Sequence, residues 1–382
     1  MAISVSIMVI IAILAVVDKS QHNNELGFGI LTLLFGLLEI IFFFNATKGL
    51  NFAYSDLVVY YGYFQTMMEW DWNTFQTLHP FEFGYDFVVF IIAKIPYALG
   101  LQLTAHDFVL ILVILAIIVI YFAAKIQTNR SSAVFISLLY LWYQYSNVFT
   151  YNIVRQGVAL AFLCLSISLY HKYNKIGTSL FVMIVAVMFH KSIFFLGLLP
   201  FFIIVYKNIS KNHKSNNEYY ELSIEKNRLI SVKMWLFLCL GVIAYITKLN
   251  SLLGRLPISL VQTYQSDSVV TMAVDLGSIT NSLHFLLLSI GYLVIISLIW
   301  YFNRKKIDDL KPFYLLFFID TIIYLFMGFV PFSFRVEFGA LYVLPLILGI
   351  IIYRTGNRLY YIALLAIVII LGYYTGPFYL LK

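Results

Sequence analysis

The residues from Tyr151 to Leu199 are the first place in this sequence where chemistry could occur. Arg155 stands at the mouth of one apolar run, and His190 and Lys191 interrupt a later one. Ionisable side chains at membrane depth are energetically costly, so by default they mark functional sites. This stretch is therefore the centre of the candidate site.

Three arginines, Arg155, Arg255 and Arg335, each lie beside a predicted helix end on the outer side. An arginine fork matches pairs of phosphate oxygens and stays charged at any relevant pH. The set would suit the pyrophosphate of a lipid-linked substrate, and Lys191 would add positive potential. The alternative is structural: the side chains snorkel to the interface or form salt bridges, with Glu337 serving Arg335.

His190 is the leading candidate for a general base, because an imidazole titrates near neutrality and a sugar hydroxyl needs a proton acceptor. Asp56 and Glu82 are rival bases, or carboxylates that orient a sugar. Each has a structural alternative. His190 could hold a helix break through backbone hydrogen bonds, and the two carboxylates could be solvated loop charges.

The predicted sugar contacts are Gln156, Tyr60 and Tyr264. Tyr60 belongs to a tyrosine cluster that an interfacial aromatic belt explains equally well. The outer segments contain no Asp-x-Asp pair, Glu-x-x-His helix or Cys/His spacing typical of a metal site. We expect neither a metal nor another cofactor.

The elements that must position these residues are membrane helices. Of the 382 residues, 62% are hydrophobic and 11% are charged. Long apolar runs predict an all-α polytopic membrane protein, because their pattern does not alternate as a barrel's does. The net charge of +7 is spread over short loops, so it concerns topology and not nucleic acid. We treat 1–382 as a single integral membrane domain.

We expect about twelve transmembrane helices, on the rule of roughly 20 apolar residues for each crossing. The run 85–99 contains Lys94 and Pro96, which predicts a short re-entrant or interfacial helix. The run 178–206 should be two short segments broken near His190. The predicted spans are 2–17, 28–44, 107–124, 133–150, 157–171, 178–190, 192–206, 234–249, 283–302, 312–330, 336–353 and 359–375.

Lysine and arginine in the loops predict the orientation. They place 207–233 in the cytoplasm and leave 45–106, with short helices, and 250–282 as outer loops. The cytoplasmic loop has no glycine pattern that would cradle phosphate, so a cytoplasmic nucleotide sugar is not the expected donor. The first run, 2–17, is predicted to be a retained span and not a signal peptide.

Two short motifs resemble a known family. Arg155-Gln156 precedes a helix of small residues, and Phe189-His190-Lys191-Ser192 follows 34 residues further along. Together they resemble the EpsG family, which is grouped with the Wzy-type polymerases of exopolysaccharide and capsule. The likeness extends to Asp56 with Tyr60, to Glu82-Phe83-Gly84-Tyr85 and to Arg335. The chain departs from the family pattern at Lys48, where an arginine is common, and at Val336-Glu337-Phe338.

The resemblance implies a glycosyltransferase C-like membrane enzyme of the bacterial cytoplasmic membrane, with an extracytoplasmic active site. It would transfer a glycan from one undecaprenyl-pyrophosphate carrier to the terminal sugar of another lipid-linked repeat unit. Besides the bilayer, a flippase and a chain-length regulator are candidate partners. The alternatives are a lipid-linked oligosaccharide flippase and a glycosyltransferase using polyprenyl-phosphate sugars. The unusual charges gather at one predicted face, which favours an enzyme over a transporter.

Overall fold

The computed structural model describes most of the apolar part of the chain. The described residues are 2–20, 25–47, 56–143, 153–205, 231–255, 283–303, 306–307, 310–330, 333–356 and 366. Their regular structure is entirely helical. The chain forms two compact units, one of Met1–Leu198 with Pro345–Lys382, and one of Leu199–Leu344.

The helices follow the apolar runs of the sequence and are numbered here in chain order. The α-helices are α1 (Ala2–Ser20), α2 (Glu25–Thr47), α3 (Leu57–Glu69), α4 (Trp72–Leu78), α5 (Phe83–Ala98), α6 (Ala105–Gln127), α7 (Arg130–Trp142), α8 (Val154–Tyr173), α9 (Ile176–Phe189), α10 (Val232–Ile246), α11 (Leu283–Asn303), α12 (Lys311–Met327), α13 (Phe334–Tyr342) and α14 (Leu344–Thr355). A π-helical turn covers Phe194–Leu198, and a 3-10 helix covers Leu249–Arg255.

Several helices are apolar enough to cross a bilayer. Within the described residues, five segments have the necessary length: Gly27–Asn45, Ala105–Gln127, Val154–Tyr173, Leu283–Asn303 and Arg335–Thr355. Shorter apolar helices include α1, α7, α9 and α10. The predicted class, an all-helical membrane protein, is therefore confirmed. The count of about twelve spans stays a prediction, and the expected span 359–375 lies outside the described residues except at Ala366.

Local sequence signals fix where the helices of the first unit begin and end. The Thr104 hydroxyl accepts the Asp107 N–H at 3.2 Å, and the Asp107 carboxylate accepts the Thr104 N–H, which forms a capping box at α6. Asn129 caps α7 by accepting the Ser132 N–H at 3.0 Å. Asn174 is the C-cap of α8 and takes the left-handed conformation, with φ 53°.

Helix α8 packs against both α6 and α9, and small side chains such as Ala161 allow close contact. Two polar bonds tie these helices together. Gln127 Nε2 donates to the Ser168 carbonyl at 3.3 Å, and Ser166 Oγ donates to the Ser179 carbonyl at 2.7 Å. These bonds fix the second half of α8 relative to α6 and α9.

Helix α5 corresponds to the run predicted as re-entrant or interfacial. Its 16 residues span about 24 Å, less than the roughly 30 Å of a hydrocarbon core. The Lys94 ammonium donates to the Met68 carbonyl of α3 at 2.8 Å, so this interrupting charge anchors two helices. A Cβ on Gly84 would lie 2.7 Å from the Met188 Cβ and 2.9 Å from its carbonyl oxygen. Glycine is therefore needed where α5 meets α9.

The break predicted near His190 is present. Helix α9 ends at Phe189, and His190 is extended with φ −159° and ψ 120°. Two turn residues follow, and the helical backbone then resumes through the π-helical turn. At Gly197 a Cβ would meet the Leu163 side chain at 2.9 Å, so this second segment packs closely on α8.

Polar contacts also join the helices of the second unit. The Tyr314 hydroxyl donates to the Leu293 carbonyl at 2.9 Å, and Asn250 Nδ2 donates to the Leu325 carbonyl at 3.0 Å. The buried Glu337 carboxylate accepts a hydrogen bond from the Ser289 hydroxyl.

Candidate functional site

Arg155 is the second residue of α8, at the helix end where a cation is least favoured. The first turn of a helix presents unpaired N–H groups and the positive end of the helix dipole. The N-cap residue Ile153 offers no side-chain acceptor to relieve this. A guanidinium placed here needs an anion beside it.

Glu82 supplies that anion from the N-cap position of α5. Arg155 Nη1 donates to Glu82 Oε2, and the two side chains are 15% and 16% exposed. The backbone N–H of Lys191 donates to the other oxygen, Glu82 Oε1, at 3.2 Å. One carboxylate therefore connects α5, α8 and the break after α9, and it is not a solvated loop charge.

Three aromatic rings enclose the same guanidinium. Arg155 Cζ lies 4.1 Å from the ring centroid of Phe81, 5.0 Å from that of Tyr60 and 5.6 Å from that of Tyr85. Distances within about 6 Å allow cation–π attraction, which is stronger where water is excluded. Tyr60 is only 4% exposed and faces the guanidinium.

Asp86 is a member of this site that the sequence did not single out as a functional residue. It is fully buried, and its Oδ2 accepts the Phe81 N–H at 2.7 Å. Oδ1 is buried without a hydrogen-bond partner among the described residues. Burial raises the pKa of Asp86 to about 6, opposed by the Phe81 N–H and the Arg155 guanidinium. The signal that could have found it is its spacing of four from Glu82, which puts both on one face of α5.

The His190 ring is held by its own turn. Nδ1 accepts the Ser192 backbone N–H at 3.2 Å and lies 2.7 Å from the Ser192 hydroxyl oxygen. Because a backbone N–H can only donate, this Nδ1 carries no proton, and the neutral ring has its proton on Nε2. The contact with Ser192 agrees with the alternative role of His190, which is to hold the helix break through backbone hydrogen bonds. It also means that Nε2 is the ring nitrogen that can donate a hydrogen bond.

The other predicted residues of the first unit lie on these same elements. Asp56 precedes α3, where its backbone carbonyl accepts the Tyr60 N–H at 3.1 Å. Gln156 is 2% exposed, so it packs inside the unit. Lys191 has an exposed side chain, and its contribution to the site is the backbone N–H.

The remaining predicted residues belong to the second unit. Arg335 is the second residue of α13, the same helix position that Arg155 has in α8. Arg255 is the last residue of the 3-10 helix. Tyr264 lies outside the described residues. Glu337, the alternative partner of Arg335, accepts from Ser289.

Comparison with known proteins identifies the family. The EpsG family profile matches residues 35–379, nearly the whole chain. This chain belongs to the EpsG family. No curated protein matches it significantly, and no solved structure does. EpsG is a family of Wzy-type polymerases, so the resemblance found in the sequence is confirmed and indicates a membrane-bound polysaccharide polymerase.

The structure brings together the motifs of this EpsG protein that lie in the first unit. Glu82 and Tyr85 of the acidic-glycine-aromatic motif contact Arg155 of the arginine-glutamine motif. The turn that contains His190 and Lys191 adds a backbone donor. In the described part of the chain, no three His, Cys, Asp or Glu side chains are grouped as metal ligands would be. The assembled group is a guanidinium paired with a carboxylate and enclosed by aromatic rings.

Proposed function

We propose that this EpsG protein is a polymerase acting at the outer face of the cytoplasmic membrane. It transfers a glycan chain from one undecaprenyl-pyrophosphate carrier to the terminal sugar of another lipid-linked repeat unit. The observation that carries the proposal is the Nε–H of Arg155. This Nε is buried and has no hydrogen-bond partner among the described residues, although the guanidinium is charged.

An unpaired buried donor costs roughly 1–3 kcal/mol, and more when the group is charged. A ligand that supplies a second oxygen to the guanidinium would remove this cost. Pyrophosphate does so, because phosphate oxygens match the arginine fork in pairs. Glu82 marks where phosphate oxygens would meet Arg155 Nη1 and the Lys191 N–H, and a further phosphate oxygen would pair with the Arg155 Nε–H.

In the proposed reaction the acceptor hydroxyl attacks the anomeric carbon of the donor glycan. A new glycosidic C–O bond forms, the C–O bond to pyrophosphate breaks, and undecaprenyl pyrophosphate leaves with the electron pair. Negative charge grows on the leaving group, so a guanidinium fixed beside it stabilises the transition state. Arg155 has this role, and Arg335 and Arg255 stay proposed pyrophosphate ligands because of their charge.

The hydroxyl proton needs an acceptor, and the local geometry favours Glu82 over His190. The proton on Nε2 makes the neutral His190 ring a donor on that side, suited to a phosphate or sugar oxygen. Glu82 is paired with Arg155 in the structure, and in the proposed reaction pyrophosphate takes its place. The displaced carboxylate is then free to accept a proton. Asp56 stays a rival base.

The decisive experiment adds defined substrates to purified protein in detergent, where no second compartment exists. A polymerase elongates undecaprenyl-pyrophosphate-linked repeat units into a ladder and releases one undecaprenyl pyrophosphate for each bond. A flippase produces no ladder in detergent. A glycosyltransferase that uses polyprenyl-monophosphate sugars extends the acceptor only with that donor. Either of these last two results overturns the proposal.

A further inference from the structure

Phe81 is the ring closest to the Arg155 guanidinium, with 4.1 Å between the ring centroid and Cζ. It lies in a bend ahead of α5, so no helix determines its backbone position. Its ring meets Tyr63 at 5.3 Å, Tyr60 at 5.4 Å and Tyr85 at 6.0 Å, all edge to face. These contacts orient the ring only if the backbone at Phe81 is held in place.

The Asp86 carboxylate provides that hold. It lies in the first turn of α5 and reaches back five residues to accept the Phe81 N–H at 2.7 Å. A carboxylate near a helix N-terminus is favoured by the helix dipole, and a hydrogen bond to a charged acceptor is stronger than a neutral one. The accepting carboxylate is fully buried and Phe81 is half-buried, so losing this bond would leave a buried polar group without its partner.

We infer that Asp86 is a positioning residue for the Arg155 guanidinium. Through the Phe81 N–H, Asp86 holds the Phe81 ring against this guanidinium. The ring in turn keeps the guanidinium directed at the pyrophosphate of the donor lipid. The inference rests on the proposed function for its ligand. The chain of contacts from Asp86 to Phe81 to Arg155 stands without that function.

Two substitutions separate the hydrogen bond from the charge. Asp86→Asn keeps a side-chain oxygen that can accept the Phe81 N–H, whereas Asp86→Ala removes the acceptor. Phe81→Leu keeps the backbone N–H and most of the volume, and removes the aromatic face. If Asp86 acts through Phe81, the double variant of Asp86→Ala with Phe81→Leu is no worse than the worse single variant.

The test that does not depend on catalysis is the rate at which phenylglyoxal modifies Arg155, read by mass spectrometry of the purified full-length protein. We expect Asp86→Asn to react like wild type, and Asp86→Ala and Phe81→Leu to react about fivefold faster because the cation–π contact is lost. Glu69→Gln, an exposed carboxylate on α3, is the control and leaves the rate unchanged. Multiplicative rates in the double variant, or an Asp86→Ala rate equal to wild type, overturn the inference.

The second readout is kinetic and uses undecaprenyl-pyrophosphate-linked repeat units. A positioning role predicts a donor KM about fivefold higher in Asp86→Ala with kcat changed less, and near-complete rescue in Asp86→Asn. If Asp86→Asn is as impaired as Asp86→Ala, the charge and not the hydrogen bond is what matters, and the inference is wrong. A chain without polymerase activity but with the expected phenylglyoxal pattern contradicts the proposed function alone.

Discussion

Glu82 and Arg155 are 73 residues apart in the sequence and form a half-buried ion pair that joins the N-terminus of α5 to that of α8. The second oxygen of the carboxylate accepts a backbone N–H at the break after α9. In the proposed function Glu82 is therefore a placeholder that the pyrophosphate of the donor displaces.

Glu82→Gln should separate binding from turnover. Loss of the competing carboxylate frees the guanidinium, so purified protein should bind inorganic pyrophosphate about tenfold more tightly. Polymer formation should fall by about a hundredfold, because the proposed base is gone. Calorimetric titration and a gel of extracted polysaccharide measure the two effects. Glu69→Gln serves as the matched control, and weaker pyrophosphate binding in Glu82→Gln would show that Glu82 is not a placeholder.

His190→Asn distinguishes the structural role of His190 from a chemical one. An asparagine oxygen can accept the N–H two residues further on, so it can take over the Ser192 contact and preserve the turn. We expect His190→Asn and His190→Ala both to lose polymer while the protein still inserts into the membrane. Immunoblots of membranes and polysaccharide gels provide the measurement. Polymer at the wild-type level in His190→Asn would leave His190 only its structural role.

Gly84→Ala should separate α5 from α9. The new methyl group would meet the Met188 backbone as well as its side chain, so overpacking should lower stability by about 1–3 kcal/mol. The displaced helix would also weaken the bond between Glu82 and the Lys191 N–H, and reduce polymer. Gly62→Ala is the control, because nothing lies within 4 Å of a Cβ there.

Thermal unfolding in detergent and polymer yield test this prediction. The clash involves the Cβ and the backbone of Met188, which alanine keeps, so adding Met188→Ala should not rescue Gly84→Ala. Equal melting temperatures for Gly84→Ala and Gly62→Ala would mean that α5 and α9 do not approach as closely as described.

Asp86 should make stability depend on pH between about 4 and 6. Burial raises its pKa from 3.8 to about 6, so in this range the folded protein binds a proton that the unfolded chain does not. The free energy of unfolding is therefore highest below pH 3.8, and it falls by up to roughly 3 kcal/mol as pH rises through 6. Asp86→Asn cannot titrate, so it should lack this decline. Thermal unfolding across that range measures it, and identical pH profiles would contradict the assignment.

The sequence predicted the helices better than it predicted the site, for a physical reason. Apolar runs are local, so the span expected at 157–171 corresponds to Val154–Tyr173. The helix break at His190 could also be predicted, because an ionisable residue within an apolar run is energetically costly. The pairing of Glu82 with Arg155 depends on how α5 and α8 pack, which no spacing encodes. Phe81 and Asp86 were not singled out, because nothing in the local sequence distinguishes them from the other aromatic and acidic residues of 45–106. The sequence also could not show why Lys94 interrupts an apolar run, because its hydrogen-bond acceptor, the Met68 carbonyl, is 26 residues away in the chain.

The donor KM of purified protein with undecaprenyl-pyrophosphate-linked repeat units tests whether Arg155 binds the donor pyrophosphate. Arg155→Lys keeps the charge and loses the fork, so we predict a KM at least about tenfold higher. Lys172→Ala, an exposed cation in the last turn of the same helix, should match wild type. A folded Arg155→Lys variant with the wild-type donor KM would contradict the account.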